Sequence, residues 1–235
     1  MPTSSGRLSR TAVDRAGDLL RRYRLGEKTD SIDLGIAMDR LAAFRREWSD
    51  PPQPLTTVIM GLRSMVEKLR IPTKPTQRLK RMARIIDKLA RYPTSRLTQM
   101  QDIGGCRVVV NTLGEARALQ RRLVDVWGGE IRHVDDYVDQ PKPDGYRAIH
   151  VVVVKQHHLV EIQLRTRLQH EWATLVERME GTLGAPLREG EGDSALRHAL
   201  QDLSKAASFD DLGQPVPPEL ATRINESLQR LREPG

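Results

Sequence analysis

The side chains best suited to chemistry lie between residues 158 and 166, where polar and apolar residues alternate. A β-strand here would place Glu161, Gln163 and Arg165 on one face and aliphatic residues on the other, because side chains of a strand alternate in direction. A carboxylate, an amide and a guanidinium are costly on a covered face unless they serve a ligand. The alternation also fits a half-exposed antiparallel strand with one solvated face, so both interpretations stay open.

A second group of candidates is a row of basic residues, Lys80, Arg84 and Lys88, spaced four apart. The periodicity of residues 78–91 predicts a helix, so the row would lie on one helix face. Like charges at this spacing repel one another unless an anion lies over them, and a polyphosphate would supply that anion. A solvated basic face is the alternative interpretation.

An acidic residue and two glycines open the next apolar segment. Asp102 precedes Gly104 and Gly105, and Arg107 follows inside a run rich in valine. Glycine permits close approach of the backbone, and an Asp at the mouth of a sheet can hold Mg²⁺ together with substrate phosphates. A plain turn explains the glycines equally well, but it explains an arginine within an apolar run less well.

The loop at residues 135–146 is rich in Asp, Pro and Gly, and such loops carry function when a rigid scaffold positions them. Tyr146 is one of only four tyrosines, and an exposed ring there would stack on a nucleotide base. Lys142 would contact phosphate. The alternative is a tyrosine that covers the edge of the core.

The hydrophobic periodicity predicts an α/β or α+β layered domain that positions these candidates. Three helices are predicted from about residue 9 to 70, and we expect them to pack against the core rather than to bind a partner. The core is predicted to contain strands near 106–111, 130–136, 147–155 and 158–166, and helices near 78–91, 112–127 and 167–180.

The glycine-rich residues 184–193 predict a flexible linker. Two more helices are predicted beyond it, near 194–208 and 218–232. The expected division of the chain is a helical region at 1–73, a catalytic core at 74–182, and a linker with C-terminal helices at 183–235.

Composition limits the class of protein. With 235 residues the chain is long enough for one catalytic domain with flanking helices. The 38 Lys and Arg exceed the 31 Asp and Glu, which favours anionic partners such as nucleotides, RNA or acidic lipid. A single Cys106 excludes an internal disulfide and predicts a buried thiol. No segment has the character of a signal peptide or a membrane span, so we expect a soluble, cytoplasmic protein with no membrane partner.

Five ordered blocks between Arg78 and Ala173 resemble the synthetase domain of the RelA/SpoT family, the alarmone (ppGpp) synthetases. The resemblance implies a nucleotidyltransferase-like fold, with a mixed central sheet flanked by helices and with N- and C-terminal helical extensions. A chain of this length resembles the small, single-domain synthetases. The blocks are Arg78-x-Lys80 with Lys88, Asp102-x-x-Gly105-x-Arg107, Lys142-Pro143-x-Gly145-Tyr146-Arg147-x-x-His150, Glu161-x-Gln163-x-Arg165-Thr166, and the helix with His170, Trp172 and Ala173.

The resemblance implies transfer of the β,γ-pyrophosphate of ATP to the 3′-hydroxyl of GDP or GTP, with Mg²⁺ as cofactor. It implies that Glu161 is catalytic and that Asp102 and Glu161 hold the metal. The ATP phosphates would be bound by Arg78, Lys80, Lys88 and Arg107. The acceptor nucleotide would be bound by Lys142, Tyr146, Arg147, His150, Gln163, Arg165 and His170.

Two other functions remain open. Some small members of the family are toxins that make adenosine alarmones or pyrophosphorylate the 3′ end of tRNA, and basic rows such as residues 21–24 would suit RNA. The other is a non-catalytic sensor of nucleotide or RNA on the same fold. The resemblance also allows an antitoxin or a second copy of the chain as a partner.

Overall fold

A computed structural model describes residues 8–51 and 53–230 of the chain. Within this part, the predicted flanking helices and core elements are confirmed, with one added strand. The helices are α1 (Arg10–Arg24), α2 (Ser31–Arg46), α3 (Pro54–Lys68), α4 (Met82–Arg91), α5 (Leu113–Trp127), α6 (Arg167–Leu183), α7 (Ser194–Asp211) and α8 (Pro218–Arg230). The strands are β1 (Thr76–Leu79), β2 (Gly104–Val110), β3 (Ile131–Asp136), β4 (Ile149–Lys155) and β5 (His158–Thr166).

The five strands form one sheet in the order β1-β2-β5-β4-β3, which confirms the predicted α/β class. A two-residue turn joins β4 to β5, and its residues Gln156 and His157 have φ values of 51° and 67°. Two consecutive residues with positive φ are typical of the tight turn that connects antiparallel strands. Asp102 lies just before β2 and Glu161 lies within β5, and these two strands are neighbours in the sheet.

The chain forms two compact units, each made from separate segments. The division predicted from the sequence, at residues 1–73, 74–182 and 183–235, is not tested by these units and stays a prediction. The first unit takes the described chain up to Leu62 together with Thr76–Cys106 and Val152–Glu161. The second unit takes Arg63–Pro75, Arg107–Val151 and the described chain from Ile162 onward.

The N-terminal helices pack against the rest of the first unit, in agreement with their predicted role. The carboxylate of Asp14 in α1 accepts hydrogen bonds from the backbone and the hydroxyl of Thr98, at 2.9 and 3.0 Å. The indole of Trp48 is buried, and its Nε1–H donates to the carbonyl of Leu159 at 2.8 Å. The same ring fills the space beside Gly104, the first residue of β2.

Replacing Gly104 with Ala is expected to destabilise the protein by about 1–3 kcal/mol, because the added Cβ would overlap the indole of Trp48. The free energy of unfolding in urea measures this effect. Gly181→Ala is the matched control, since nothing lies within 4 Å of a Cβ at that helical position. A Gly104→Ala protein as stable as the control would contradict the role of this contact.

The helix predicted at residues 78–91 begins later than expected. Thr76–Leu79 is a strand, and α4 begins at Met82. Lys80 lies between them, where its backbone N–H donates to the carbonyl of Ile103 at 2.8 Å. The prediction that Lys80, Arg84 and Lys88 lie on one helix face is therefore wrong for Lys80. The backbone of Lys80 bonds to the segment before β2 instead of forming the first turn of the helix.

Part of the predicted flexible linker at residues 184–193 packs against α6. Leu187 is buried, and the guanidinium of Arg188 pairs with the carboxylate of Glu180 at 2.5 Å. The prediction from composition missed these contacts because they depend on α6. Cys106 is buried as predicted, and burial raises the pKa of its thiol to about 12. Among the described helices, none is both long and apolar enough to cross a bilayer.

Candidate active site

The first unit gathers two lysines around one aspartate. Asp102 precedes β2, Lys80 follows β1, and Lys88 lies on α4. The Oδ2 atom of Asp102 lies 2.5 Å from the ammonium nitrogen of Lys80 and 3.0 Å from that of Lys88. Three different elements therefore bring two cations to a single carboxylate oxygen.

The charges of this cluster are strongly coupled. Burial alone would raise the pKa of Asp102, but the two ammonium groups outweigh it and hold the pKa below its usual value. Burial lowers the pKa of Lys80 despite the attraction of Asp102, and the nearby charges of Lys88 and Arg78 lower it further. Arg78 lies exposed on β1, close enough to act on the same lysine. This arrangement has more positive charge than Asp102 can neutralise.

The second oxygen of Asp102 has a different environment. Oδ1 is buried and has no hydrogen-bond partner among the described residues. Buried polar atoms without a partner are rare in folded proteins and call for an explanation such as an ion. A carboxylate oxygen is the donor that Mg²⁺ prefers, so Asp102 fits the role of a metal ligand.

Glu161 lies on β5 beside this cluster. Its negative charge raises the pKa of Asp102, so the two carboxylates are close enough to interact. A Cβ at Gly105 would lie 2.9 Å from the carbonyl oxygen of Glu161, which explains why β2 has glycine at this point. Glu161 is half-buried and within reach of solvent.

A metal at this position would depend on its substrate. The described residues contain no group of three or more His, Cys, Asp or Glu side chains placed to hold an ion. Mg²⁺ is commonly bound by one or two carboxylates together with substrate phosphates and water. Asp102 and Glu161 match that donor set, and the lysines beside them match a polyphosphate.

The second unit contains a buried polar network around Tyr146. The Tyr146 hydroxyl hydrogen-bonds with Nε2 of His150 at 2.7 Å and accepts from the guanidinium of Arg165 at 2.7 Å. Arg165 also donates to the amide oxygen of Gln163 at 2.9 Å. Gln163 and Arg165 are both buried, so the alternative of a solvated strand face is wrong for these two residues.

The predicted exposed ring of Tyr146 is buried, with 6% of its surface accessible. It packs edge to face against Tyr137 and lies near Trp172, because the loop folds back onto α6. Tyr137 is half-buried, and the ammonium of Lys142 lies 4.4 Å from the centre of its ring. Lys142 itself is exposed, so its ammonium group is accessible to solvent.

Two basic residues and a histidine surround the start of α6. Burial lowers the pKa of His170, and the charges of Arg107 and Arg165 lower it further. Nδ1 of His170 and Nε of Arg165 are buried without a hydrogen-bond partner in the described chain. Neutral histidine offers both a donor and an acceptor, so this corner is suited to a polar ligand.

Arg147 is positioned by its own loop and by the end of α7. Its guanidinium donates to the carbonyl of Val138 at 3.1 Å. Burial lowers the pKa of Arg147, while the charge of Asp211 in α7 opposes the change. Asp211 accepts hydrogen bonds from Thr166 at 2.8 Å and Gln169 at 3.0 Å, at the N-terminus of α6.

A cavity of about 370 Å³ adjoins the loop in the second unit. Lys142 and Asp144 line one side of it, and Arg197 and Gln201 of α7 line another. Trp172 contributes an aromatic wall. Burial raises the pKa of Asp144, although the nearby Lys142 opposes this. The size and the mixture of aromatic and charged walls suit a small anionic ligand with a flat ring.

Residues 77–180 match the sequence model of the region found in RelA and SpoT proteins. Over these residues the chain is similar to RelA and SpoT proteins. The matched segment contains every candidate from Arg78 to His170, whereas α7 and α8 lie outside it.

Three similar proteins illustrate the relationship. An uncharacterized protein of Mycobacterium tuberculosis is 37% identical over 117 residues, which cover 49% of this chain and 42% of that protein. A GTP pyrophosphokinase of Bacillus subtilis is 29% identical over 143 residues, which cover 57% of this chain and 65% of that protein. The crystal structure of small alarmone synthetase 1 from Bacillus subtilis, bound to its product pppGpp, has a TM-score of 0.62 at 23% identity and covers 80% of this chain and 99% of that one.

These comparisons confirm the RelA/SpoT synthetase fold. The matched part spans about two fifths of the length of the first of these relatives. The comparison therefore supports the fold of this chain and does not establish its activity. The predicted site residues of the RelA/SpoT region divide between the two units. The first unit holds Arg78, Lys80, Lys88, Asp102 and Glu161. The second unit holds Arg107, Lys142, Tyr146, Arg147, His150, Gln163, Arg165 and His170.

Several side chains around the second group were not among the residues predicted from the sequence. Tyr137 shares the loop with Tyr146, and the scarcity of tyrosine in the chain is a signal that would have found it. Asp144 lies within the recognised motif, but only the cavity singles it out. Gln201 and Ser204 of α7 lie about 60 residues from the loop that they contact, and no local pattern reveals them.

Proposed function

We propose that this chain is a pyrophosphotransferase that transfers the β,γ-pyrophosphate of ATP to the 3′-hydroxyl of GDP or GTP. The observation that carries the proposal is the cluster in which Lys80 and Lys88 share one oxygen of Asp102 while the other oxygen is buried without a partner. Excess cations beside a free carboxylate oxygen are what a metal-bound triphosphate requires. The relative named as a GTP pyrophosphokinase and the solved structure with pppGpp support the same reaction.

The donor side is assigned to basic side chains and the metal site. Phosphoryl transfer needs little covalent chemistry from the protein, because positioning and charge neutralisation supply most of the rate enhancement. When bound, Mg²⁺ would neutralise phosphate charge beside Asp102 and Glu161. The residues assigned to the phosphates of ATP are Arg78, Lys80, Lys88 and Arg107.

In the proposed reaction, the 3′-oxygen of the acceptor attacks the β-phosphorus of ATP. The bond between the β-phosphorus and the oxygen bridging to the α-phosphate breaks, and AMP leaves with that oxygen. The proton of the 3′-hydroxyl passes to the carboxylate of Glu161, which we assign as the general base. The products are AMP and a guanosine tetraphosphate or pentaphosphate.

The acceptor side is assigned to the second unit. The half-buried ring of Tyr137 and the ring of Tyr146 both lie beside Lys142, which supports base binding and phosphate binding in one loop. Because Tyr146 is tied to His150 and Arg165 through its hydroxyl, its role includes holding the loop in shape. The residues assigned to the acceptor are Lys142, Tyr146, Arg147, His150, Gln163, Arg165 and His170.

A nucleic-acid acceptor receives less support than a free nucleotide. The basic row at residues 21–24 was the sequence feature that suited RNA. Arg21 donates to the carbonyl of Pro93 at 2.6 Å and pairs with Asp18, and Arg24 pairs with Asp87 at 2.7 Å. These arginines are used within the protein, so they offer less charge to a phosphate backbone.

The proposal is tested by incubating the purified chain with γ-labelled ATP, Mg²⁺ and one acceptor at a time. We expect label in a product of GDP or GTP, with one AMP released for each label transferred. Label in a new adenine nucleotide other than ATP, or in deacylated tRNA, would select the toxin activities instead. Thermal stabilisation by nucleotides with all label left in ATP would overturn the proposal and favour a non-catalytic sensor.

A further inference from the structure

The loop that carries Lys142 and Tyr146 is contacted by a helix outside the matched RelA/SpoT region. Gln201 of α7 donates from Nε2 to the carbonyl of Pro143 at 2.7 Å. One helical turn later, the hydroxyl of Ser204 donates to the carbonyl of Gly145. Two side chains of α7, one helical turn apart, thus bind the carbonyls of Pro143 and Gly145 in the loop.

The packing between α7 and this loop is close. Gly145 has a φ of 93°, a conformation that favours glycine. A Cβ at this residue would lie 3.1 Å from the Cβ of Ser204 and 3.3 Å from the Cα of Gln201. The glycine of the motif is therefore required by the backbone conformation and also by the approach of α7.

The loop and α7 are further fixed by α6. The indole Nε1–H of Trp172 donates to the carbonyl of Leu200 at 2.7 Å, which secures α7 one residue before Gln201. Within the loop, the backbone carbonyl of Lys142 accepts from the N–H of Gly145 at 2.8 Å, and the carboxylate of Asp144 accepts from the N–H of Tyr146 at 2.9 Å. These bonds shape the turn, whereas the side chains of α7 set where the turn lies.

The contacts with α7 lie at the wall of the acceptor-side cavity. Gln201 lines it together with Lys142 and Asp144, and Arg197 reaches it from one turn earlier on α7. Ser204 is 4% exposed, so its hydroxyl is shielded from water and hydrogen-bonds to the loop. A shift of α7 would move the carbonyls of the loop and hence the side chains that face the cavity.

We propose that α7 is part of the acceptor-binding machinery, with Gln201 and Ser204 as positioning residues that hold the loop from Lys142 to Tyr146. This inference rests on the proposed function for the identity of the acceptor. It assigns a role to a helix that lies beyond the matched region.

The test compares two serines of the same helix. Ser204→Ala leaves the carbonyl of Gly145 without its donor, and an unsatisfied buried group commonly costs enough to raise the KM for the acceptor roughly 5- to 50-fold. The KM for ATP should stay within about twofold, because the donor-side residues are untouched. Ser208→Ala is the matched control, since the Ser208 hydroxyl donates to the carbonyl of Lys205 within its own helix, at 2.7 Å.

A second measurement keeps the inference separate from the proposed activity. Hydrogen exchange of the amides of residues 142–147 should be faster in Ser204→Ala than in Ser208→Ala. A Gln201→Glu variant, which replaces the donor with an acceptor, should give the same direction of change. Equal exchange in all three variants, or faster exchange with an unchanged KM for the acceptor, would overturn the inference.

If the wild-type chain transfers no label to any acceptor, the proposed function fails and the exchange comparison still decides whether α7 holds the loop. Faster exchange only in Ser204→Ala and Gln201→Glu would support the positioning role in that case. Equal exchange would overturn it.

Discussion

The Glu161→Gln variant is expected to lose about 10²- to 10⁴-fold in kcat, the usual contribution of a general base. The amide has the shape of the carboxylate but cannot take the proton of the acceptor hydroxyl. Glu161 is half-buried and lies at the edge of the Asp102 cluster, so the substitution should leave the fold and the KM for ATP near their wild-type values. Release of AMP under saturating ATP and acceptor measures the effect.

Two controls make this result specific. Glu171→Gln is the same substitution at an exposed position of α6, where the carboxylate pairs with Arg167 at 3.0 Å, and it should retain wild-type kcat. Titration with Mg²⁺ separates the two roles assigned to Glu161. A base cannot be replaced by more metal, whereas a lost metal ligand can be offset in part by mass action. Recovery of kcat at high Mg²⁺ would contradict the role of Glu161 as the base.

The core of the fold was predictable because its elements have clear periods. Aliphatic runs marked β2 and β4, alternation marked β5, and three- and four-residue spacing marked α5 and α6. The strand β1 escaped prediction since its four residues are mostly exposed and carry no alternating pattern. The strand β1 forms because it pairs with β2. Pairing between strands that are distant in the sequence does not change the local residue pattern, so the pattern could not predict it.

The site was predictable to the extent that its residues lie in short motifs. Asp102 and Glu161 were both identified from motifs, and their interaction in the first unit is consistent with the predicted pairing. The burial of Tyr146 was missed, because it depends on Trp172 and Tyr137, which come from other parts of the second unit. The contacts of Ser204 with Gly145 were invisible for the same reason, as they join residues 59 apart in the chain.

Removal of the negative charge at Asp102 should separate ATP binding from turnover. In Asp102→Asn, Lys80 and Lys88 lose the carboxylate that they share, and their positive charges are then fully available to the phosphates of ATP. We therefore expect metal-free ATP to bind at least as tightly as to the wild-type chain. Turnover with Mg²⁺ should fall at least ~100-fold, since the metal loses a charged ligand and neutralisation of developing charge is worth several kcal/mol.

The same variant should be less stable without nucleotide. Two half-buried ammonium groups would face each other without an acid, at an expected cost of about 1–3 kcal/mol, and ATP should restore the loss. Calorimetry in EDTA measures ATP binding, and thermal unfolding with and without ATP measures the restoration. Asp87→Asn is the matched control, because it removes the same charge from an aspartate of α4 that pairs with Arg24 at 2.7 Å. Weaker binding of metal-free ATP, or kcat above one tenth of wild type, would show that Asp102 does not hold the metal between the two lysines.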